Sequence, residues 1–352
     1  MLEQIRQKLQ ENNCDVFITN NRVNRRYLTK FTGSAGLVWI SATDNILITD
    51  FRYTEQAQQQ SPDWQIIQQE PTLIETMQRL VDQHQVKRIA YESDHVTVDQ
   101  LTQWQEKLPV EFVPTKNWVL QLRMIKTEDE IAKIAKAASI ADQALAELLP
   151  RIKPGMKEKE LAFELEFTMR RLGAEGVSFD PIVGSGPQGA LPHAVPGDRE
   201  FQYGDFIVLD FGCVYEGYCS DMTRTLLMGQ PTEKHLEIYN LVLEAQLKAL
   251  AAVKPGVTGK QVDQIARDII AGAGYGECFG HGLGHGVGLE IHEDPRLSQF
   301  GEDILVPGMI VTVEPGVYLP GWGGVRIEDL VVVTENGCRI LTATPKDLYI
   351  IE

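Results

Sequence analysis

A long-period internal repeat constrains this chain more than any other feature of its sequence. Ile152-Lys153-Pro154-Gly155, followed by a helical pattern, recurs as Val253-Lys254-Pro255-Gly256 with a second helical pattern. Gly204-Asp205-Phe206-Ile207-Val208-Leu209-Asp210-Phe211-Gly212 recurs as Gly308-Met309-Ile310-Val311-Thr312-Val313-Glu314-Pro315-Gly316. Gly217-Tyr218-Cys219-Ser220-Asp221 is echoed by Gly324-Val325-Arg326-Ile327-Glu328. The offsets are 101, 104 and 107 residues, the drift that small insertions produce in one copy of a duplicated unit. Solenoid repeats run at about 20–50 residues, so this period reads as two related halves of one domain.

Each half carries a carboxylate inside an apolar strand pattern, Asp210 and Glu314, and a second one 11 or 14 residues later, Asp221 and Glu328. That separation suits a strand, a glycine-containing turn and a return strand. Burying an ionised carboxylate without a partner is costly, so partners are expected. Neighbouring strands of one sheet would bring all four acids to one face. For a single acid a salt bridge or a solvated strand end explains as much; four acids at repeat-related positions argue for a metal site.

Gly280-His281-Gly282-Leu283-Gly284-His285-Gly286-Val287-Gly288 has a glycine at every second position. Each glycine costs a helix about 1 kcal/mol relative to alanine, so the stretch predicts extended or turning backbone in close approach to something else. A phosphate loop is a weak reading, because no Lys-Ser/Thr follows. Four carboxylates and one histidine offer mostly oxygen donors, which suit hard divalent ions such as manganese, with cobalt tolerated. A closed structural zinc site would instead want cysteine and histidine. One ion would leave most of the negative charge uncompensated; two would balance it, bridged by shared carboxylates, and dinuclear hydrolysis is the chemistry that follows.

Residues 1–122 read as a small α/β domain. Helix Leu2–Gln10 leads to strand Asp15–Thr19, the turn-rich Phe31-Thr32-Gly33-Ser34-Ala35-Gly36, and strands Leu37–Ile40 and Asn45–Thr49. Helix Thr54–Gln60, strand Trp64–Gln68, a helix over 72–84 and strand Arg88–Tyr91 follow, an alternation that predicts a mixed or parallel sheet with helices on its faces. The boundary falls at Arg123 to Glu130, where Thr127-Glu128-Asp129-Glu130 is a capping box opening a helix to about Leu149. Residues 123–352 form the second, duplicated domain.

The net charge of −16 argues against nucleic acid or an anionic membrane as partner. The N-terminal stretch MLEQIRQKLQENN lacks the apolar core of a signal peptide, and no apolar run approaches the roughly 18 residues of a membrane span. Five scattered cysteines without a CxxC pair make a disulfide framework unexpected and a reducing cytoplasm the natural compartment.

With these residues in view, the second domain resembles the pita-bread metallopeptidases, the superfamily of methionine aminopeptidase, aminopeptidase P, prolidase and creatinase. The ordered set Asp210, Asp221, His285, Glu314 and Glu328 matches that family's five metal ligands together with their flanks: the apolar run before Asp210, GHGLGHGVG, VEPG and RIED. Asn24-Arg25-Arg26-Tyr27-Leu28-Thr29-Lys30-Phe31-Thr32-Gly33-Ser34 resembles the N-domain of the proline-specific branch, which methionine aminopeptidases lack. The resemblance implies an α+β architecture, a creatinase-like N-domain followed by the pita-bread domain. It also implies a homodimer in which the N-domain partly roofs the neighbour's active site.

By that resemblance Asp210 would chelate one ion, His285 and Glu314 the other, with Asp221 and Glu328 bridging and Glu314 the proton shuttle. His193, His281 and His292 match the family's supporting and substrate-binding histidines, His281 as a supporting or substrate-facing group and His292 as the one that stabilises the tetrahedral intermediate. For His193 the alternative is a solvated loop residue; for His281 it is support of the glycine-rich turn. Arg326 either salt-bridges a carboxylate near the metals or touches substrate. Arg296 resembles the arginine with which prolidases hold the proline carboxylate, a task that suits a guanidinium fork; the alternative is an ion pair with Asp294 or Glu293.

The implied activity is hydrolysis of the bond preceding proline in small peptides, by an Xaa-Pro dipeptidase or, on longer peptides, an Xaa-Pro aminopeptidase. Remoter alternatives are methionine aminopeptidase activity and a non-catalytic pita-bread binding protein. Creatinase, in the same superfamily, acts without metal.

Overall fold

The computed structural model describes residues 1–352, which divide into two compact units, Met1–Arg123 and Met124–Glu352. No helix in either is long and apolar enough to cross a membrane, and all five cysteines are free.

The first unit is a six-stranded mixed sheet in the order Gln65–Gln68, Asn45–Thr49, Leu37–Ser41, Val16–Thr19, Arg88–Glu92, Glu111–Thr115. Strand Leu37–Ser41 pairs antiparallel with both its neighbours and the other three pairings are parallel, the mixed sheet that the strand–helix alternation predicts. Helices Arg22–Thr29, Val98–Lys107 and Trp118–Met124 and strand Glu111–Thr115 were not anticipated from the sequence. The first two are marked by local chemistry. Asn21 Oδ1 accepts the amides of Val23 and Asn24 at 2.8 and 3.1 Å, and Thr97 with Gln100 forms a capping box. Buried Arg25 donates to the carbonyls of Gly33 (2.6 Å) and Gly36 (2.7 Å), which pins the turn-rich segment to the helix before it.

The second unit repeats one plan twice. Helices Glu128–Leu148 and Glu158–Arg171 precede strands Ile182–Ser185, Phe206–Phe211 and Met222–Met228; helices Glu233–Ala252 and Gly259–Gly272 precede strands Gly284–Gly286, Ile310–Val313 and Asp329–Thr334. Each half buries the inner face of its helices on its own sheet. Ala137, Ile140, Ala144 and Leu165 pack with Ile207, Leu209 and Phe211, whereas Val242, Ala245, Ala249 and Ile270 pack with Val311, Val313 and Val331. Burial of the valine, leucine, isoleucine and phenylalanine side chains among these is worth about 1.5–3 kcal/mol each before entropy is set against it.

One expectation needs correction. The four acids do not come from neighbouring strands of one sheet. The first half forms a four-stranded sheet, closed at one edge by Tyr349–Ile351; the second forms a separate five-stranded sheet with Glu293–Leu297 and Gly337–Ile340 at its edges. The halves are joined where the Glu328 amide donates to the Thr223 carbonyl at 3.1 Å and Thr225 Oγ1 bonds the Arg326 backbone, so the acids meet at the junction of the two sheets.

Candidate metal centre and cavity

Asp210 sits near the end of strand Phe206–Phe211, directly opposite Thr223 on the antiparallel neighbour. Asp221 is the residue before that neighbour begins, after a hairpin turned at Gly217 (φ +83°). In the second half Glu314 follows strand Ile310–Val313, and Glu328 stands between strands Gly323–Arg326 and Asp329–Thr334. Carboxylate oxygens of Asp210, Asp221 and Glu328 all lie within 4.8 Å of one another. His285, in strand Gly284–Gly286, brings Nε2 to 3.6 Å from Asp221 Oδ2 and 3.4 Å from Glu314 Oε1. The five residues named as metal ligands from the sequence are therefore drawn into one cluster, all strongly buried except Glu314, which is partly so.

The glycines around His285 make that approach possible. A Cβ on Gly284 would stand 2.1 Å from the Thr312 carbonyl oxygen, so only a bare backbone lets this strand lie against Ile310–Val313.

Electrostatics favour a cation in the cluster. Burial and the neighbouring charges of Glu328, Asp210 and Glu314 push the Asp221 carboxyl well above its ordinary range. Burial, with Glu314 and Asp210 beside it, does the same to Glu328. Glu314 is pushed up to about 7, chiefly by burial. His285 moves the other way: burial lowers it to about 3, so the ring is neutral.

Its tautomer follows from bond accounting. Nδ1 lies 3.0 Å from the Gly286 carbonyl, which can only accept, so Nδ1 carries the hydrogen. The Nε2 lone pair then points between two carboxylate oxygens, an arrangement that ionised carboxylates cannot satisfy by hydrogen bonding and a divalent ion does. Asp210 Oδ1 and Glu328 Oε1 are likewise buried without a protein partner. The donor set is five oxygen-rich ligands with unused lone pairs, and it fits divalent metal.

Asp210, Asp221, His285 and Glu314 line a cavity of about 550 Å³. His193, His281, His292, Arg296 and Arg326 line it too, together with the apolar Phe179, Pro181, Ile182, Val195 and Ile291. The His292 ring stands edge-on to His285, with ring centroids 4.4 Å apart. Arg296 is the cross-strand partner of His285; half exposed, it makes one loose ion pair, 3.9 Å from Asp294. Arg326 is buried and engaged: it donates to Asp210 Oδ2 (2.5 Å), Thr223 Oγ1 (3.1 Å), the Pro192 carbonyl (3.0 Å) and Tyr318 Oη (2.8 Å). Because that tyrosine oxygen accepts from Arg326, its hydroxyl donates to His281 Nε2 at 2.9 Å, while His281 Nδ1 donates to the Gly282 carbonyl at 2.8 Å.

Three participants were not read from the sequence. Thr223 donates to Glu328 Oε2 (2.7 Å) and Thr312 to Glu314 Oε1 (3.0 Å), orienting those carboxylates. Both lie two residues from an acid, and strand alternation puts such pairs on one face, so a signal existed. Tyr318 carries no such signal; only the folded hairpin Gly316–Leu319/Gly323–Arg326 brings it to Arg326.

Residues 132–335 match the model of metallopeptidase family M24, and residues 1–125 match that of the creatinase/prolidase N-terminal domain. The chain belongs to metallopeptidase family M24. It is a pita-bread metallopeptidase, as the sequence resemblance implied. A solved Xaa-Pro dipeptidase from Bacillus anthracis has a TM-score of 0.98 and is 46% identical, with 99% of each chain covered. An X-Pro aminopeptidase from Thermotoga maritima MSB8 has a TM-score of 0.93 at 41% identity, again over 99% of each chain. An Xaa-Pro dipeptidase of Pyrococcus horikoshii is 50% identical over 238 residues, 68% of this chain and 68% of that one.

Proposed function

We propose that this M24 metallopeptidase is an Xaa-Pro dipeptidase that hydrolyses the bond before a C-terminal proline. The observation that carries the reading is Arg296, a guanidinium on the cavity wall, paired in register with His285 and held by no tight partner. A fork of this kind suits a terminal carboxylate two or three bonds beyond the scissile amide. Asp210, Asp221, His285, Glu314 and Glu328 would hold two divalent ions, with manganese the ion that the oxygen-rich donor set favours. When bound, the ions would polarise the scissile carbonyl and lower the pKa of the attacking water.

The chain's own groups do the rest. Glu314, a carboxylate on the cavity wall, would accept the water's proton and deliver it to the proline nitrogen, a secondary amine that must be protonated as it leaves. His292, beside His285, lines the cavity and would stabilise a tetrahedral oxyanion, and His193 lines the same cavity. The bonds of His281 and Arg326 favour supporting roles: both ring nitrogens of His281 are occupied, and Arg326 locks Asp210 in place.

The resemblance assigns the N-terminal unit to dimerisation and to roofing of a neighbouring subunit's site, and the unpaired cysteines suit the cytoplasm. Light scattering should report twice the chain mass; a fully active monomer would overturn that part.

The T. maritima aminopeptidase favours a second reading, removal of the first residue from longer Xaa-Pro peptides. Manganese-activated hydrolysis of Xaa-Pro and Xaa-Pro-Yaa, measured side by side, tests both. Turnover of the dipeptide alone supports the dipeptidase, and turnover of the longer peptide alone the aminopeptidase.

A further inference from the structure

The cavity wall that carries His193 is held by a side chain outside the site just described. Residues 192–196 line the cavity within a segment that leaves strand Ile182–Ser185 and returns at the bridge between Lys157 and Glu200. Glu158, the first residue of helix Glu158–Arg171, is 1% exposed and makes no contact with the metal ligands. Its Oε1 accepts from the Ser185 amide (2.8 Å) and hydroxyl (2.7 Å), where the segment begins. Its Oε2 accepts from the Gly197 amide (3.1 Å), where the segment ends. The helix start reinforces the second contact, for the Glu158 and Lys159 amides donate to the Arg199 and Gly197 carbonyls at 3.1 and 3.2 Å. Arg199 ties the same node to Asp205 through two bonds of 2.6 and 2.9 Å.

The duplication supplies an independent comparison. Glu158 lies three residues after Gly155, and Gly259 lies three after Gly256. In the second half the Gly259 and Lys260 amides donate to the Asp303 and Gly301 carbonyls, at 3.3 and 2.8 Å, and so capture the segment that follows Arg296. There a Cβ on Gly259 would lie 2.0 Å from the Arg296 carbonyl oxygen. Equivalent helix starts thus grip the two wall segments that carry His193 and Arg296, one through a carboxylate and the other through direct backbone contact.

We propose that Glu158 is a positioning residue for the peptidase reaction: its buried carboxylate joins both ends of the 186–196 segment and so sets the place of His193 in the cavity. The proposal rests on the reading of His193 as a substrate-side residue. Three donors converge on a group that has none of its own, and only an ionised carboxylate satisfies all three. Glutamine keeps the volume but turns an NH2 toward an N–H, which releases one end of the segment.

The test uses the metal-loaded enzyme as wild type, E158Q, H193A and the double variant. E158Q should retain its metal content, lower kcat/KM on the dipeptide about ten-fold, and cost less than about two-fold once His193 is already alanine. Amide hydrogen exchange should accelerate in peptides spanning residues 185–197 and not elsewhere. Effects of E158Q and H193A that simply multiply, or exchange in that segment unchanged by E158Q, would overturn the proposal. Should H193A alone leave the rate intact, the reading of His193 fails and the clamp is judged by exchange alone. Should E158Q not fold, S185A removes the hydroxyl bond at the first end of the clamp, leaving the Ser185 amide, and is held to the same two criteria.

Discussion

Replacing Arg296 by methionine removes the guanidinium while keeping most of the apolar stem, and its consequence follows from the geometry. Two unit charges 4 Å apart at an effective dielectric of 20 attract by about 4 kcal/mol. The Arg296 side chain is 49% exposed, however, so solvent screening brings its contribution down to about 1–2 kcal/mol. That corresponds to roughly a 5- to 30-fold loss of kcat/KM. The loss should appear on Ala-Pro and be absent on Ala-Pro amide, which has no terminal carboxylate to hold. It should fall mainly on KM, because the contact is the same in ground and transition states. Lysine at this position should recover part of the loss, since it restores the charge without the fork. An equal loss on the dipeptide and its amide, or none on either, would refute the assignment of Arg296.

Two further predictions concern the metal cluster. Burial moves the Glu314 carboxyl from an ordinary 4.5 to about 7, so the unfolded chain releases this proton first as pH rises. Metal-stripped protein should therefore lose stability between those values, by on the order of 3 kcal/mol, with Asp221 and Glu328 acting in the same direction. The melting temperature of chelated protein should fall from pH 5 to 8 while that of metal-loaded protein holds; a constant gap between the two would contradict the account. Asp221→Ala or Glu328→Ala should abolish binding of both ions by elemental analysis, whereas His292→Ala should keep the metals and lose kcat. Retained activity in either acid variant would remove the bridging assignment.

Much of this could be read from the chain because strand chemistry is local. An apolar run ending in Asp210 and its copy ending in Thr312-Val313-Glu314 specify strands whose acids have a defined face. The Gly280–Gly288 spacing excludes helix and leaves the short strand Gly284–Gly286. The capping box at Thr127 likewise marks the helix Glu128–Leu148. Helix Arg22–Thr29 went unread, although the Asn21 cap was visible, because its polar residues lack a clean apolar stripe; buried Arg25 and Asn24 occupy the core-facing side instead.

What the sequence by itself determined is the list of chemical groups, their repeat-related order and the local backbone that each requires. Tertiary structure alone decided their partners. The two halves set their acids at the junction of separate sheets, so the metal cluster is a product of how the halves join. Arg326 reaches Asp210 across 116 residues of chain, Tyr318 closes the link from Arg326 to His281, and Glu158 gathers donors 27 and 39 residues away. Periodicity specifies which face a residue takes, whereas the meeting of two charges depends on how whole elements pack, a long-range property that no local pattern carries.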